Sequence, residues 1–508
     1  MDYILTLILF FPAIAALFAF FIDEKSIRVY SIFAAFLELA FTIILWINFS
    51  LLQTKAPFIA DPTIKIVSEL GFNYQLKVDG ISLFLVILSS FITLLTLISL
   101  NLKKRVKQSI IAILLLEMTM MGVFLSNDAI LFYLFWELSL LPMLYIIGYW
   151  GGENKIYAAV KFFIYTFFGS MFLLIGIITL SYLHYKQFGA YSFSLDDWKN
   201  LTLPFKTQVW LLLALSFSFA IKTPLFPFHT WLPYAHGKAP TVGSILLAAV
   251  LLKMGTYGFV RFDLLFFPDA SLYFAPFFCI VAIIMVIYAS FIAFFQEDIK
   301  QVIAYSSIAH MGIVMLGIFS MSVEGVGGAL FLMISHGLVS GGLFMLVGFI
   351  YDRRETKLMS EFGGVAKVMP LYSFLFAIVM LGSIGLPLTI GFVGEFLSLL
   401  GVFRLSPFYA IFGGLGIIMG AIYSLNLYKR TFFGELSNPK NKALEDLNFK
   451  ELFSIVPIAI LVFVLGVFPN IILKDIDSAV KDQMTQIYEK SSPQTKAKLD
   501  NTIYFEEF

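Results

Sequence analysis

Only one cysteine, Cys279, occurs in 508 residues. The chain can therefore form no intrachain disulfide, nor supply the roughly four thiolates that a cysteine-ligated iron–sulfur cluster needs. Charge is scarce as well. Asp, Glu, Lys and Arg make up 13% of the residues, about half the share found in soluble proteins. A net charge of +1 leaves no basic excess of the kind nucleic acid demands, so no nucleic-acid partner is expected. What is abundant is apolar: 60% of the residues are hydrophobic and Phe alone occurs 58 times. Apolar runs of about 18 residues or more recur along the chain, and a helix of about 20 residues crosses a bilayer core of about 30 Å. These features exclude an ordinary soluble domain and point to an all-α polytopic membrane protein whose first partner is the lipid bilayer.

Hydropathy predicts about fourteen transmembrane helices, near 4–22, 29–50, 80–100, 108–125, 128–149, 158–183, 207–228, 241–262, 273–295, 301–320, 326–350, 370–403, 406–428 and 451–470. The first runs straight into Asp23-Glu24-Lys25 and a second span with no A-x-A-like site between them, so it reads as a retained helix rather than a signal peptide. Assigning loops alternately to two sides places Lys103, Lys104, Arg105, Lys107, Lys238, Lys300, Arg353 and Arg354 on one side and Lys55, Lys65, Lys77, Lys199 and Arg261 on the other. Over all the loops the first side leads about two to one, which makes it cytoplasmic and puts both termini outside. Beyond residue 470 a polar tail, 471–508, reads as a surface appendage.

An internal repeat also emerges. Pro224-Leu225 interrupts the seventh span and Pro387-Leu388 the twelfth, 163 residues later. Five helices fill each period, and an odd number forces the second copy to sit upside down relative to the first. The expected organisation is an N-terminal three-helix segment over 1–107, a first repeat over 108–262 and an inverted second repeat over 273–428. A loop and last helix over 429–470 and the tail then follow.

Ionisable residues within the spans carry the functional signal. A charge at the bilayer centre costs roughly 2.5–3.5 kcal/mol on insertion scales, and such residues usually face a protein interior or a watered path. Glu137, Lys222, Lys253, His310, His336 and Glu395 each sit in a different span. Any one has a plain structural explanation. His310 or His336 alone would serve as a core histidine bonded to Ser306, Ser307 or Ser335, and Glu137 with Lys222 as a structural ion pair. Six together are hard to explain structurally, and a polar file that conducts an ion is the reading they favour. Glu117 is a lesser candidate for that path. Asp128 reads as interfacial, Lys161 as a snorkelling structural residue, and His229 and His236 as satisfied loop histidines that could gate access.

The prolines suggest where the path lies. Pro142 cannot donate to the carbonyl of Leu138, next to Glu137; Pro224, Pro227 and Pro233 follow Lys222; Gly385, Pro387 and Gly391 precede Glu395. Broken backbone at membrane depth is tolerated only inside protein or along a watered cavity, so the breaks mark the route.

Four stretches, FWELSLLPM, KTPLFPFHTWLPYAHGKAPTVGSILLAAVLLKMGTYG, QEDIKQVIAYSSIAHMG and GFVGEF, closely resemble the antiporter-like membrane subunits of respiratory complex I, the NADH-quinone oxidoreductase, and most closely their M (chain 4) branch. The likeness runs over roughly residues 1–470. It implies fourteen helices with two inverted five-helix repeats and discontinuous helices seven and twelve. It also implies proton translocation coupled to electron transfer in other subunits. Glu137 and Lys222 match the family's helix-five glutamate and helix-seven lysine, Lys253 its central lysine, Glu395 its terminal acid, and His310 and His336 histidines on the linking path. An acid at Glu395 is what sets the M branch apart from sister subunits. No cofactor is implied in this chain; FMN, iron–sulfur clusters and quinone are expected in partner subunits, among which the sister antiporter-like subunits are the nearest. The expected location is an energy-transducing membrane, the bacterial inner membrane. Two alternatives stay open: a subunit of a multi-chain cation/proton antiporter without redox activity, and an inert membrane scaffold.

Overall fold

The computed structural model describes residues 3–52, 57–102 and 104–500, with the Leu52 side chain left out; Lys55 and Lys103 of the loop-charge pattern lie outside the described residues. The protein is a helical bundle. Among the described residues ten helices are long and apolar enough to cross a membrane, and Ile4–Ala19, Leu83–Ile98 and Pro370–Ile384 are shorter apolar helices.

Burial sorts the helices into a centre and a rim. Val323–Arg354 is buried along its membrane stretch from Gly325 to Ile350. Lys155–Phe188, in contrast, turns Ile164, Phe168, Ile175 and Ile178 outward, as a helix does when lipid is its solvent. Start signals in the sequence explain several boundaries. Asp128 accepts hydrogen bonds from the amides of Ile130 and Leu131, Asp298 does the same for Lys300 and Gln301, and Asn448 with Glu451 forms a reciprocal capping box. Pro268, Pro370 and Pro407 each occupy a first helical turn, where the missing amide costs nothing.

The expected breaks are present. Ala129–Leu138 gives way at Ser139 to Leu140–Trp150. Phe205–Lys222 stops at Lys222, and the chain resumes as the short helix Trp231–Lys238. Pro370–Ile384 ends at Gly385 and restarts as Ile390–Leu405. One irregularity had no signal in the prolines: the Lys253 segment contains wide π-turns at Leu247–Leu251 and Phe259–Leu264, on either side of the lysine.

One face of the bundle carries two small two-stranded antiparallel sheets, one a hairpin nested between the strands of the other, that hydropathy leaves as loop. Phe58–Ala60 pairs with Lys77–Asp79, and Ile64–Val67 with Phe72–Tyr74. On this hairpin face Arg261 donates two hydrogen bonds of 2.7 Å to Asp79. Burial alone would raise the Asp79 carboxyl, but the guanidinium outweighs it and holds the group below the ordinary carboxylate range. The opposite, basic face brings together the loops of Lys104, Gly152 and Lys238 through Trp150 Nε1 to the Lys104 carbonyl at 2.9 Å and Gly152 N to the Lys238 carbonyl at 2.8 Å.

Residues 470–490 of the polar tail form the amphipathic helix Asn470–Lys490, whose buried face includes Ile472, Ile476, Val480, Met484 and Ile487. The helix is strapped to the bundle by polar bonds as well. Trp46 Nε1 donates to Asp475, and Gln483 Nε2 donates to the Val260 carbonyl at 2.6 Å.

Candidate functional site

The six intramembrane residues fall into two groups. The first runs through four helices. Lys253 is completely buried, and its ammonium donates to the Ala248 carbonyl at 2.5 Å, a carbonyl that the wide π-turn leaves in reach, and meets His336 Nδ1 at 2.7 Å. The His336 ring lies 5.6 Å, centre to centre, from that of His310. His310 Nδ1 is 3.1 Å from Glu395 Oε1, and its Nε2 is 3.4 Å from Ser383 Oγ. Lysine, histidine, histidine and glutamate thus form a chain of neighbours, each able to give or accept a proton.

Backbone breaks place the last member. Gly385 has φ +74°, in the left-handed region glycine occupies freely, and a Cβ there would lie 2.3 Å from Glu395 Oε2. That oxygen is buried without a hydrogen-bond partner. Of the serines expected beside the histidines, Ser306 and Ser307 both donate to the Ile303 carbonyl of their own helix, and it is Ser383 that meets His310.

The second group is looser. Lys222 is buried, with Nζ 3.3 Å from Ser139 Oγ at the break after Leu138 and 5.2 Å from the centre of the Trp136 ring. Glu137 is half-buried, and Oε1 has no hydrogen-bond partner. The two residues interact through space but make no direct ion pair among the described residues. The Lys222 and Lys253 segments touch where Gly255 packs on Thr223, at a spacing that leaves a Cβ only 2.5 Å from Thr223 Oγ1.

Two expectations change. His236 is not a satisfied loop histidine: it is completely buried, stacked on Phe344 at 4.5 Å, and neither ring nitrogen has a partner. It stands between Lys253 and Lys300, both of which act on it electrostatically. His229 is likewise buried with Nδ1 unpartnered. Beside His236, a cavity of about 200 Å³ opens on the basic face, lined by Lys238, Lys300, Phe344 and Lys357 among others. Glu117 is fully buried away from the six, and Glu38, a residue the hydropathy reading passed over, is buried as well. The Lys161 ammonium lies 4.1 Å from the centre of the Tyr234 ring. Among the described residues no group of three or more His, Cys, Asp or Glu side chains converges as a metal site would.

Comparison with known proteins places this arrangement. Residues 126–420 match the family model for NADH:quinone oxidoreductase and Mrp antiporter transmembrane proteins, a stretch that holds all six residues. The chain belongs to that family. NADH-quinone oxidoreductase subunit M of Rickettsia prowazekii is 45% identical over 480 residues, covering 92% of this chain and 96% of its own. Subunit M of Rickettsia bellii is 42% identical, covering 96% and 99%. Among solved structures, a chain of respiratory complex I from Thermus thermophilus superposes with a TM-score of 0.86 at 27% identity, covering 95% of this chain and 99% of that one. The fold is therefore that of a complex I membrane subunit, and the chain is an integral membrane protein of that family.

Proposed function

We propose that the chain is a proton-translocating membrane-arm subunit of an NADH-quinone oxidoreductase. In this reading Glu137, Lys222, Lys253, His336, His310 and Glu395 pass protons while electron transfer runs in other subunits. The observation that carries the proposal is the run of close contacts from Lys253 through His336 and His310 to Glu395. A charged file inside a bilayer is costly, and proton relay is the work that offsets such a cost.

In this reading the basic face is cytoplasmic and both termini lie outside, in the bacterial inner membrane; the excess of Lys and Arg on that face supports it. The cavity at Lys300 and Phe344 is the entry, and His236, stacked on Phe344, hands protons on to Lys253 and His336. Glu137, half-buried at a helix break, faces a sister antiporter-like subunit, and its pull on Lys222 sets when that lysine gives up its proton. FMN, iron–sulfur clusters and quinone belong to the partner subunits.

Inverted repeats over 108–262 and 273–428 are part of the proposal, and a matched pair of caps supports them. Asp128 and Asp298 each open a helix, and each also forms an isolated antiparallel bridge to a later loop, at Ser194 and Leu358 respectively. The first pair lies on the hairpin face and the second with Lys357 on the basic face.

The test is an assembly purified through this chain and sealed into vesicles. Flavin- and iron–sulfur-containing partners should accompany it, and NADH-driven quinone reduction should acidify one side. Sodium–proton exchange by an assembly without redox partners would instead favour the antiporter reading.

A further inference from the structure

One step of the file has no bond. His336 holds Lys253 with Nδ1, and its Nε2 has no hydrogen-bond partner. The His310 ring lies 5.6 Å away between centres, with the two planes inclined at 50°. Both of its nitrogens are already engaged, Nδ1 at 3.1 Å from Glu395 Oε1 and Nε2 at 3.4 Å from Ser383 Oγ. To take a proton from His336, His310 must turn one nitrogen away from a partner. The Ser383 contact is the longer of the two and is made by an uncharged group, so it is the one that gives.

Ser383 stands where a helix breaks. It lies in the last turn of Pro370–Ile384, two residues before Gly385, while Glu395 belongs to the following piece, Ile390–Leu405. The His310 ring thus bridges the two pieces of one broken helix. A serine inside a helix ordinarily turns its hydroxyl back on the carbonyl a turn earlier. Ser373 does so in the same helix, donating to the Met369 carbonyl, and Ser340, one turn after His336, donates to the His336 carbonyl. The Ser383 hydroxyl makes no such bond, and among the described residues its one hydrogen-bond partner is His310 Nε2. With the His310 proton on Nδ1, toward Glu395, Nε2 is an acceptor and the hydroxyl is its donor.

We propose that Ser383 is a positioning residue, a latch on His310 Nε2 that holds the ring off His336 until His336 carries a proton to give. The proposal rests on the proton-relay reading above. When Lys253 passes its proton to His336 Nδ1, that ring becomes a cation whose Nε2–H is a charge-assisted donor, roughly twice as strong as a neutral one. It displaces the Ser383 hydroxyl from His310 Nε2. The proton moves onto that nitrogen while the Nδ1 proton of His310 moves on to Glu395 Oε1, so one proton enters the ring and one leaves it. A proton returning by way of Glu395 finds Nε2 turned to Ser383 and goes no further than His310.

Sealed vesicles holding the assembled complex test this in the absence of NADH. An imposed pH gradient should collapse severalfold faster with Ser383→Ala than with the parent, because the two rings then meet freely. Ser383→Thr keeps the hydroxyl and should hold the gradient as the parent does. Ser383→Cys, close to serine in size but a weak donor, should leak to an intermediate degree, and it decides the matter if the alanine variant fails to assemble. In the double variant Ser383→Ala/Lys253→Ala the added leak should vanish, since it runs through the file. No added leak in Ser383→Ala, an equal leak in Ser383→Thr, or a leak that survives Lys253→Ala would overturn the latch. Failure of the relay reading shows separately: Lys253→Ala alone would then leave NADH-driven translocation intact, and the latch would fall with it.

Discussion

The two ends of the file are built differently. From Lys253 to Glu395, donors and acceptors on four helices stand side by side, 2.7 Å apart at Lys253–His336 and 3.1 Å at His310–Glu395, with the two histidine rings 5.6 Å apart between centres. At the other end Lys222 is bonded to Ser139 rather than to Glu137, and the acid is half-buried at a helix break. A proton can cross the first region along two bonded pairs, with a single step, between the neighbouring His336 and His310 rings, left to ring rotation. Crossing the second requires a side chain to move or water to bridge. This difference makes the Glu137 end the place for control, because a gap that must close can be timed, and the Lys253 end the place for conduction.

Breaking the conducting end at its root should have the largest effect. Lys253→Ala removes the residue on which His336 depends for a partner, and proton translocation should fall by about a hundredfold, the low end of what a positioned proton-transfer group contributes. Reconstituted vesicles driven by NADH would register it as lost acidification at unchanged assembly. Glu137→Gln should come next, a loss of about tenfold, because the amide keeps shape and packing but no longer alters the charge near Lys222. Retention of full translocation by the assembled Glu137→Gln protein would remove the timing role from that end.

Glu395→Ala should also depress translocation about tenfold, whereas Glu395→Asp should retain much of it, since a carboxyl one methylene shorter can still meet His310. Equal behaviour of the two substitutions would mean that the carboxylate itself is idle. The smallest effect is expected of Gly385→Ala. A methyl at φ +74°, 2.3 Å from Glu395 Oε2, displaces the acid and strains the backbone by about 1–3 kcal/mol. Translocation should drop severalfold while the other acids remain in place, and the acidification rate of the same vesicles would record it.

The sequence exposed the ingredients of the file but not its wiring. Glu137, Lys222, Lys253, His310, His336 and Glu395 stand out because a charge in a long apolar run is rare, and the prolines and glycines near three of them announce the breaks. That Lys253 touches His336, 83 residues away, follows from packing between helices and has no local signature. The same holds for His236. Its position in a short helix among polar residues suggests a loop, and only the stacking on Phe344 and the burial of both nitrogens reveal an interior residue. Glu38 was detectable by the rule that found the six, since it lies in mid-span of the second helix. The strands at 58–79 escaped hydropathy because they are only three or four residues long, and Ile64–Val67 is exposed throughout.

Substituting Lys253 with arginine tests the central claim most directly. Arginine preserves the positive charge and the capacity to donate to His336 and Ala248, but holds its proton at any accessible pH, whereas lysine can release it. The measurement is protons translocated per electron in sealed vesicles, normalised to assembled complex, for Lys253→Arg beside Lys253→Ala. If Lys253 passes a proton to His336, the two variants should be impaired alike. Near-normal translocation by Lys253→Arg would contradict the account and leave Lys253 as a fixed structural charge.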